Sequence, residues 1–259
     1  MSTDLSQAWN QVADVLNETS IAGECVRYAA AIKPLLALPK TSLIMEAGCG
    51  SGRILRTLAA LGYHRLVGLE ISHERLSEVT RLGSSSAQLI CSSAVPFASA
   101  AFDAVVSAAV IEHVIDPGSW LKELARVTRS GGLLSIVTDT YMWQWLKRFG
   151  VYRSIQPLDE AIWPPTMIRW AQKSGLHLLG CKGFINRPDQ RGYFIRQLLK
   201  LIPRTGSLQR WFNQTATPDI PSDETEVILD SIRGFNDRTR VDLWSCVWSY
   251  ECYYWFRKH

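Results

Sequence analysis

Between Leu43 and Gly52 the chain reads LIMEAGCGSG. An apolar run, Leu43-Ile44-Met45, ends in an acid, Glu46, and glycines follow at alternate positions, Gly48, Gly50 and Gly52. The next residues, RILRTLAAL, have a helical period. A buried strand that turns on glycine into a helix lets backbone approach a ligand closely. The simplest reading makes the rest of the chain a sheet that carries this turn and a lid that covers it.

Two ligand classes use such a turn. A dinucleotide site wants G-x-G-x-x-G/A, the third small residue letting helix and sheet pack closely. Counted from Gly48, that third position is Arg53. The observed order, acid-x-Gly-x-Gly-x-Gly, instead resembles the first motif of the class I S-adenosylmethionine (SAM) methyltransferases. Glycines used only for turning are the plain alternative, so the later strands must decide.

At 259 residues the chain can form one large domain, or one domain with a sizeable insertion. A hydrophobic share of 47% and a charged share of 20% are those of a globular protein. No apolar run approaches the roughly 20 residues that span a bilayer. MSTDLSQAWNQ has neither the basic start nor the apolar core of a signal peptide. The cysteines at 25, 49, 91, 181, 246 and 252 form no C-x-x-C pair, which favours reduced thiols in a cytoplasmic protein over disulfides or zinc. A net charge of +4, with no strong basic stripe, argues for no nucleic acid partner. The oligomeric state is not legible.

Residues 5 to 38 read as helices. Leu5, Trp9, Val12 and Leu16 share one face of the first, and Pro34 bends or divides the second, CVRYAAAIKPLLAL. Strand one covers 42 to 46, and its helix runs from Gly52 to Leu61 and stops at Gly62. Strand two, RLVGLE, closes on Glu70, where a ribose-binding αβ fold needs a carboxylate to accept from the two ribose hydroxyls. A helix from His73 to Leu82, a short strand from Gln88 to Cys91 and a strand from Phe102 to Ser107 come next. Asp116 then caps a helix with Pro117 at its first position. That helix ends at Gly131-Gly132 before a fifth strand, LLSIVTD. Strands alternating with helices predict an α/β fold with a doubly wound, Rossmann-like, mostly parallel sheet.

From Val95 to Gly132 the resemblance tightens. The small-molecule class I methyltransferases of the ubiquinone/menaquinone-biosynthesis type carry patterns near D-A-x-x-L-P-F, F-D-x-V, L-E-H-V-x-D-P and R-V-L-x-P-G-G. Here the chain reads C-S-S-A-V-P-F, F-D-A-V, I-E-H-V-I-D-P and R-V-T-R-S-G-G. With LIMEAGCGSG and Glu70 the likeness runs nearly unbroken from 42 to 139. It implies SAM as cofactor and S-adenosyl-L-homocysteine as product. Glu46, Gly48 and Gly50 would line its methionine and ribose side, Glu70 would hold the ribose diol and Ile71 would pack on adenine. Ser107 and Ala108 would pass under the methionine moiety. The family's adenine-contacting acid falls on Cys91, so Ser92 Oγ or a backbone carbonyl would take over that contact. His113 is the candidate catalytic base, against the reading that it only holds the strand-four turn in place. Some RNA-directed relatives use E-x-x-E-H for a metal; the first acid of that pattern is Ala109 here, so no metal is expected.

Helix and strand six are read from WPPTMIRWAQKSGLHLLGC, and SYECYYWFRKH resembles the family's aromatic final strand. The reading is therefore a seven-stranded domain over 41–185 and 248–259, an N-terminal helical cover over 1–40, and a helical insertion over 186–247 that serves as substrate lid. In that insertion YFIRQLLKLIP and ETEVILDSIRGFNDRTRVDLW both have a helical period. Tyr141, Trp143, Trp145, Tyr193 and Trp211 are candidate acceptor contacts, suited to an apolar or planar small molecule. The basic positions Arg187, Arg191, Arg196, Lys200 and Arg204 leave peripheral membrane contact open. The sequence supports methyl transfer to a small molecule, most simply at oxygen. Two alternatives stand beside it: a SAM-fold binding protein without transfer, and an enzyme for a lipid-linked or glycan acceptor at a membrane surface.

Overall fold

The computed structural model describes residues 2–11, 25–81, 87–91, 94–148, 158–184, 224–235 and 241–259. Seven strands form one sheet: β1 (Leu43–Ala47), β2 (Arg65–Glu70), β3 (Ala87–Cys91), β4 (Phe102–Ala108), β5 (Thr128–Asp139), β6 (Leu176–Phe184) and β7 (Glu251–Lys258). Their order is β3-β2-β1-β4-β5-β7-β6. The first five pair in parallel, and β7 lies antiparallel between β5 and β6.

The central strands are buried on both faces, which is why they read as continuous apolar runs. Neighbouring residues point to opposite faces and so supply two cores. Met45, Val105, Ile136 and Tyr254 face one core, which helix Pro117–Val127 covers with Leu121 and Leu124 and helix Pro164–Lys173 covers with Met167. Ile44, Val106, Val137 and Tyr253 face the other. That face is covered by helices Cys25–Ile32 and Arg53–Ala60 and by Ile228 and Ile232 of helix Glu224–Gly234. Burying each such aliphatic side chain contributes about 1.5–3 kcal/mol.

Strand two has the predicted bounds, and Asp116 caps its helix, its Oδ1 accepting from the Ser119 N–H at 2.9 Å. Pro34 opens a 3-10 turn, Lys33–Ala37, after the helix that begins at Cys25. Strand five starts earlier than its apolar run. The preceding helix stops at Val127, and Thr128 already pairs with Phe102, with an irregularity before Leu133 pairs with Ala104. Gly131, at φ 75°, makes that irregularity, which is why Gly131-Gly132 lies inside the strand rather than before it.

The run ETEVILDSIRGFNDRTRVDLW does not form one continuous helix. Helix Glu224–Gly234 packs into the sheet's second core, and a separate short helix, Leu243–Trp248, is capped by Asp242. The segment holding YFIRQLLKLIP lies outside the described residues, as do Val12 and Leu16. Among the described residues no helix is long and apolar enough to cross a membrane.

Strand order reverses between β1 and β4, the crevice where doubly wound sheets bind ligands at the strands' carboxyl ends. The glycine turn, Glu70, Ser107 and Asp139 all lie along that edge.

Candidate active site

The glycine turn is pinned from β2. Gly48 and Cys49 N–H groups both donate to the Leu69 carbonyl, at 2.7 and 3.0 Å. The Gly50 N–H donates to Glu70 Oε2 at 2.8 Å. Gly48 sits at φ 80°, and a Cβ there would strike the Val110 side chain. The loop after β4 thus comes as near to the turn after β1 as a residue without a side chain allows.

Glu70 is buried and richly bonded. Its Oε1 accepts from the Ile71 and Ser72 N–H groups, both at 3.0 Å, while Oε2 takes Gly50. A carboxylate offers about four acceptor sites, so the backbone uses most of them and leaves one on Oε2. This alters the expected fork: a ribose would find a single strong acceptor rather than two. Glu46 differs. It is buried, its Oε2 has no hydrogen-bond partner, and burial pushes its carboxyl well above the usual range despite a bond from the Leu55 N–H. An orphaned acid at a glycine turn, next to a strand-end carboxylate, fits a ligand that brings hydrogen-bond donors, as SAM would.

The other cofactor candidates lie on neighbouring elements. Ser107 is buried and donates to the Ala47 carbonyl at 3.0 Å, tying β4 to β1, and Ala108 ends β4. The Ile71 carbonyl accepts from Ser6 Oγ of the N-terminal helix Ser2–Gln11 at 2.8 Å. Cys91 ends β3 in register with Glu70, while Ser92 lies outside the described residues.

His113 stands in a 3-10 turn, Ile111–His113, just after β4. Its Nδ1 lies 2.7 Å from the Leu158 carbonyl, which can only accept, so Nδ1 carries a proton. Asp159 Oδ1 is 3.7 Å from Nδ1, and Glu112 Oε1 is 3.8 Å from Nε2. Trp9 packs edge-on against the imidazole at 5.6 Å. Glu112 accepts from Thr138 Oγ1 at 2.8 Å and the Asp139 N–H at 3.3 Å, and burial raises its pKa. Ala109, where the metal pattern would need an acid, adopts φ 54°.

The acceptor candidates separate. Tyr141 begins helix Tyr141–Arg148 and meets Trp163 edge-on at 5.0 Å. Trp145 is 41% exposed. Tyr193 and Trp211 lie outside the described residues, as does the side chain of Trp143. Sequence reading missed Trp9, which is buried over His113, and also Trp244 and Trp248, exposed at 70% and 51% and 5.4 Å apart. The i, i+4 spacing of Trp244 and Trp248 was the available signal. It missed Leu158 and Asp159 as well, since nothing local links them to His113.

A doubly wound sheet in this strand order, with an acid-and-glycine turn after β1 and a carboxylate closing β2, defines the class I SAM-dependent methyltransferase fold. Residues 45–136 match the methyltransferase domain family, and the chain carries such a domain. It is 36% identical over 117 residues to a tRNA (carboxymethyluridine(34)-5-O)-methyltransferase of Xenopus tropicalis, covering 42% of this chain and 17% of that one. It is 26% identical over 190 residues to a ubiquinone biosynthesis O-methyltransferase of Ruegeria sp. (strain TM1040), covering 66% of this chain and 72% of that one. So the chain spans a small part of the first relative and most of the second. In fold it is similar to the methyltransferase solved with the Haloferax volcanii Trm112 activator. The TM-score is 0.61 at 16% identity, over 98% of this chain and 97% of that one.

Proposed function

We propose that this chain moves the methyl group of SAM to a hydroxyl oxygen of a small-molecule acceptor. The observation that carries the reading is one sheet edge holding both a glycine turn locked by Glu70 and a histidine with its Nδ1 proton fixed. The ubiquinone O-methyltransferase relative supports oxygen as the methylated atom.

SAM, when bound, supplies a methyl group already activated on a sulfonium. Glu70 Oε2 would accept from its ribose, and the turn at Gly48 and Gly50 would admit its methionine end. Ile71 would lie against adenine, with Ser92 or nearby backbone completing that contact. His113 Nε2 would take the acceptor's hydroxyl proton while Nδ1–H stays on the Leu158 carbonyl. Glu112 and Asp159 on either side of the ring would steady the resulting imidazolium. Trp9 keeps water from one face of that ring. Tyr141 and Trp163 offer an aromatic wall to the acceptor.

The tRNA-directed relative supports a second reading, a nucleic acid acceptor. Incubating the protein and a cell extract with methyl-labelled SAM, then separating lipid, polar small-molecule, protein and nucleic acid fractions, tells these apart. Label in a polar small-molecule or lipid fraction, absent with the His113→Ala variant, supports the proposal. Label in the nucleic acid fraction supports the second reading. Label in no fraction contradicts both and favours SAM binding without transfer.

A further inference from the structure

Arg75 lies in helix His73–Arg81, directly after Ser72, whose Oγ accepts from the Arg75 N–H at 3.3 Å. Its side chain turns back over the glycine turn: a Cβ on Gly50 would come within 2.8 Å of the Arg75 Cζ. Its Nε is buried without an acceptor, and among the described residues its guanidinium pairs with no carboxylate. Glu46, which leads into the same turn, is also buried with its Oε2 orphaned, as is Oε2 of Glu78, three residues on from Arg75 in the same helix. The two groups feel one another: burial raises the Glu46 carboxyl and the Cys49 thiol, and Arg75 pulls both back down. Yet they form no ion pair.

An acid and a base held within electrostatic reach, out of contact, each with an unsatisfied buried atom, form a costly arrangement for a protein alone. It is satisfied by a ligand carrying both charges. A bare anion such as a pyrophosphate would meet Arg75 but bring Glu46 Oε2 no donor. A zwitterionic α-amino acid would satisfy both, its ammonium toward Glu46 and its carboxylate toward the guanidinium, whose planar fork suits two oxygens.

We propose that Arg75 is a positioning residue of the cofactor site, anchoring the carboxylate of the amino-acid end of SAM while Glu46 receives the ammonium. This rests on the SAM reading above.

The test compares SAM with decarboxylated S-adenosylmethionine, which keeps the sulfonium and the amine and lacks only the carboxylate. Calorimetric titrations of the wild-type chain should show SAM bound about tenfold or more tighter than the decarboxylated compound, as a charge-assisted contact requires. Arg75→Gln should bring the two within about threefold of each other, and Arg75→Lys, which keeps charge without the fork, should fall between. Because the comparison is made within each variant, a general loosening of the site cancels. A wild-type preference retained in Arg75→Gln overturns the proposal. If that variant fails to fold, full preference in Arg75→Lys does so. Wild-type protein that binds neither compound overturns the cofactor reading itself, and the anchor with it.

Discussion

Glu70 Oε2 accepts the Gly50 N–H at 2.8 Å, so the acid that ends β2 holds the turn that ends β1. The same carboxylate collects the Ile71 and Ser72 N–H groups on its other oxygen. It thus braces the site it would serve. Glu70→Ala should cost both functions: stability falls by about 1–3 kcal/mol as buried donors lose their acceptor, and SAM affinity falls by at least tenfold. Urea unfolding and calorimetry on the same preparation check the two effects together.

Gly48 and Gly50 should answer differently to alanine. Both have positive φ, 80° and 52°, which strains any side chain by about 1–2 kcal/mol. At Gly48 the new Cβ meets branched Val110, which is fixed near its backbone; at Gly50 it meets the far end of Arg75. Gly48→Ala should therefore be the more destabilising by about 1 kcal/mol or more. Equal unfolding midpoints for the two variants would contradict this.

The buried acids give a pH dependence with a definite sign. Burial raises the pKa of both Glu46 and Glu112 above the ordinary 4.5. The folded chain therefore binds protons that the unfolded chain has released. Their contribution is fully present below pH 4.5 and is lost as pH rises through the folded values, by at most about 1.4 kcal/mol per pH unit for each group. Glu46→Gln removes one of them. Ligand-free stability from pH 4.5 to 8 should fall less steeply in that variant than in the wild type, as urea midpoints will show.

His113 should reveal itself in a pH–rate profile. If Nε2 takes the acceptor proton, His113→Gln lowers kcat by roughly 10²–10⁴-fold and removes the acid limb of the profile. A histidine that only holds the Leu158 segment would leave that limb in place and lower stability instead. The two outcomes separate on kcat against unfolding midpoint.

Cys181, Cys246 and Cys252 are buried together, from β6, helix Leu243–Trp248 and β7. Hydrogen bonding among neighbouring thiols, and then burial, raise the first two far above the usual thiol range. Alkylation of native protein at pH 8 should leave these thiols unmodified, with all three labelled after unfolding.

The half of the chain up to Asp139 was readable because its signals are local. An apolar run, glycines at alternate positions, an acid at a strand end and Asp116-Pro117 each act within a few residues, and each lies where its spacing implied. Strand five and the insertion were harder for the opposite reason. Thr128 joins β5 only because Phe102 lies beside it, and Ile228 is buried only because helix Cys25–Ile32 packs in the same core. The same holds within the site. Nothing near residue 113 announces Leu158, and nothing near residue 50 announces Arg75. Trp9 read as one residue of an amphipathic face, while its contact is the His113 ring more than a hundred positions away.

Whether the Glu70-braced turn binds SAM can be read from one experiment, calorimetric titration of the purified wild-type chain with S-adenosyl-L-homocysteine. One site per chain is expected, with a dissociation constant on the order of micromolar, and at least tenfold weaker binding in Glu70→Ala. Absence of binding, or affinity unchanged in that variant, would contradict the assignment.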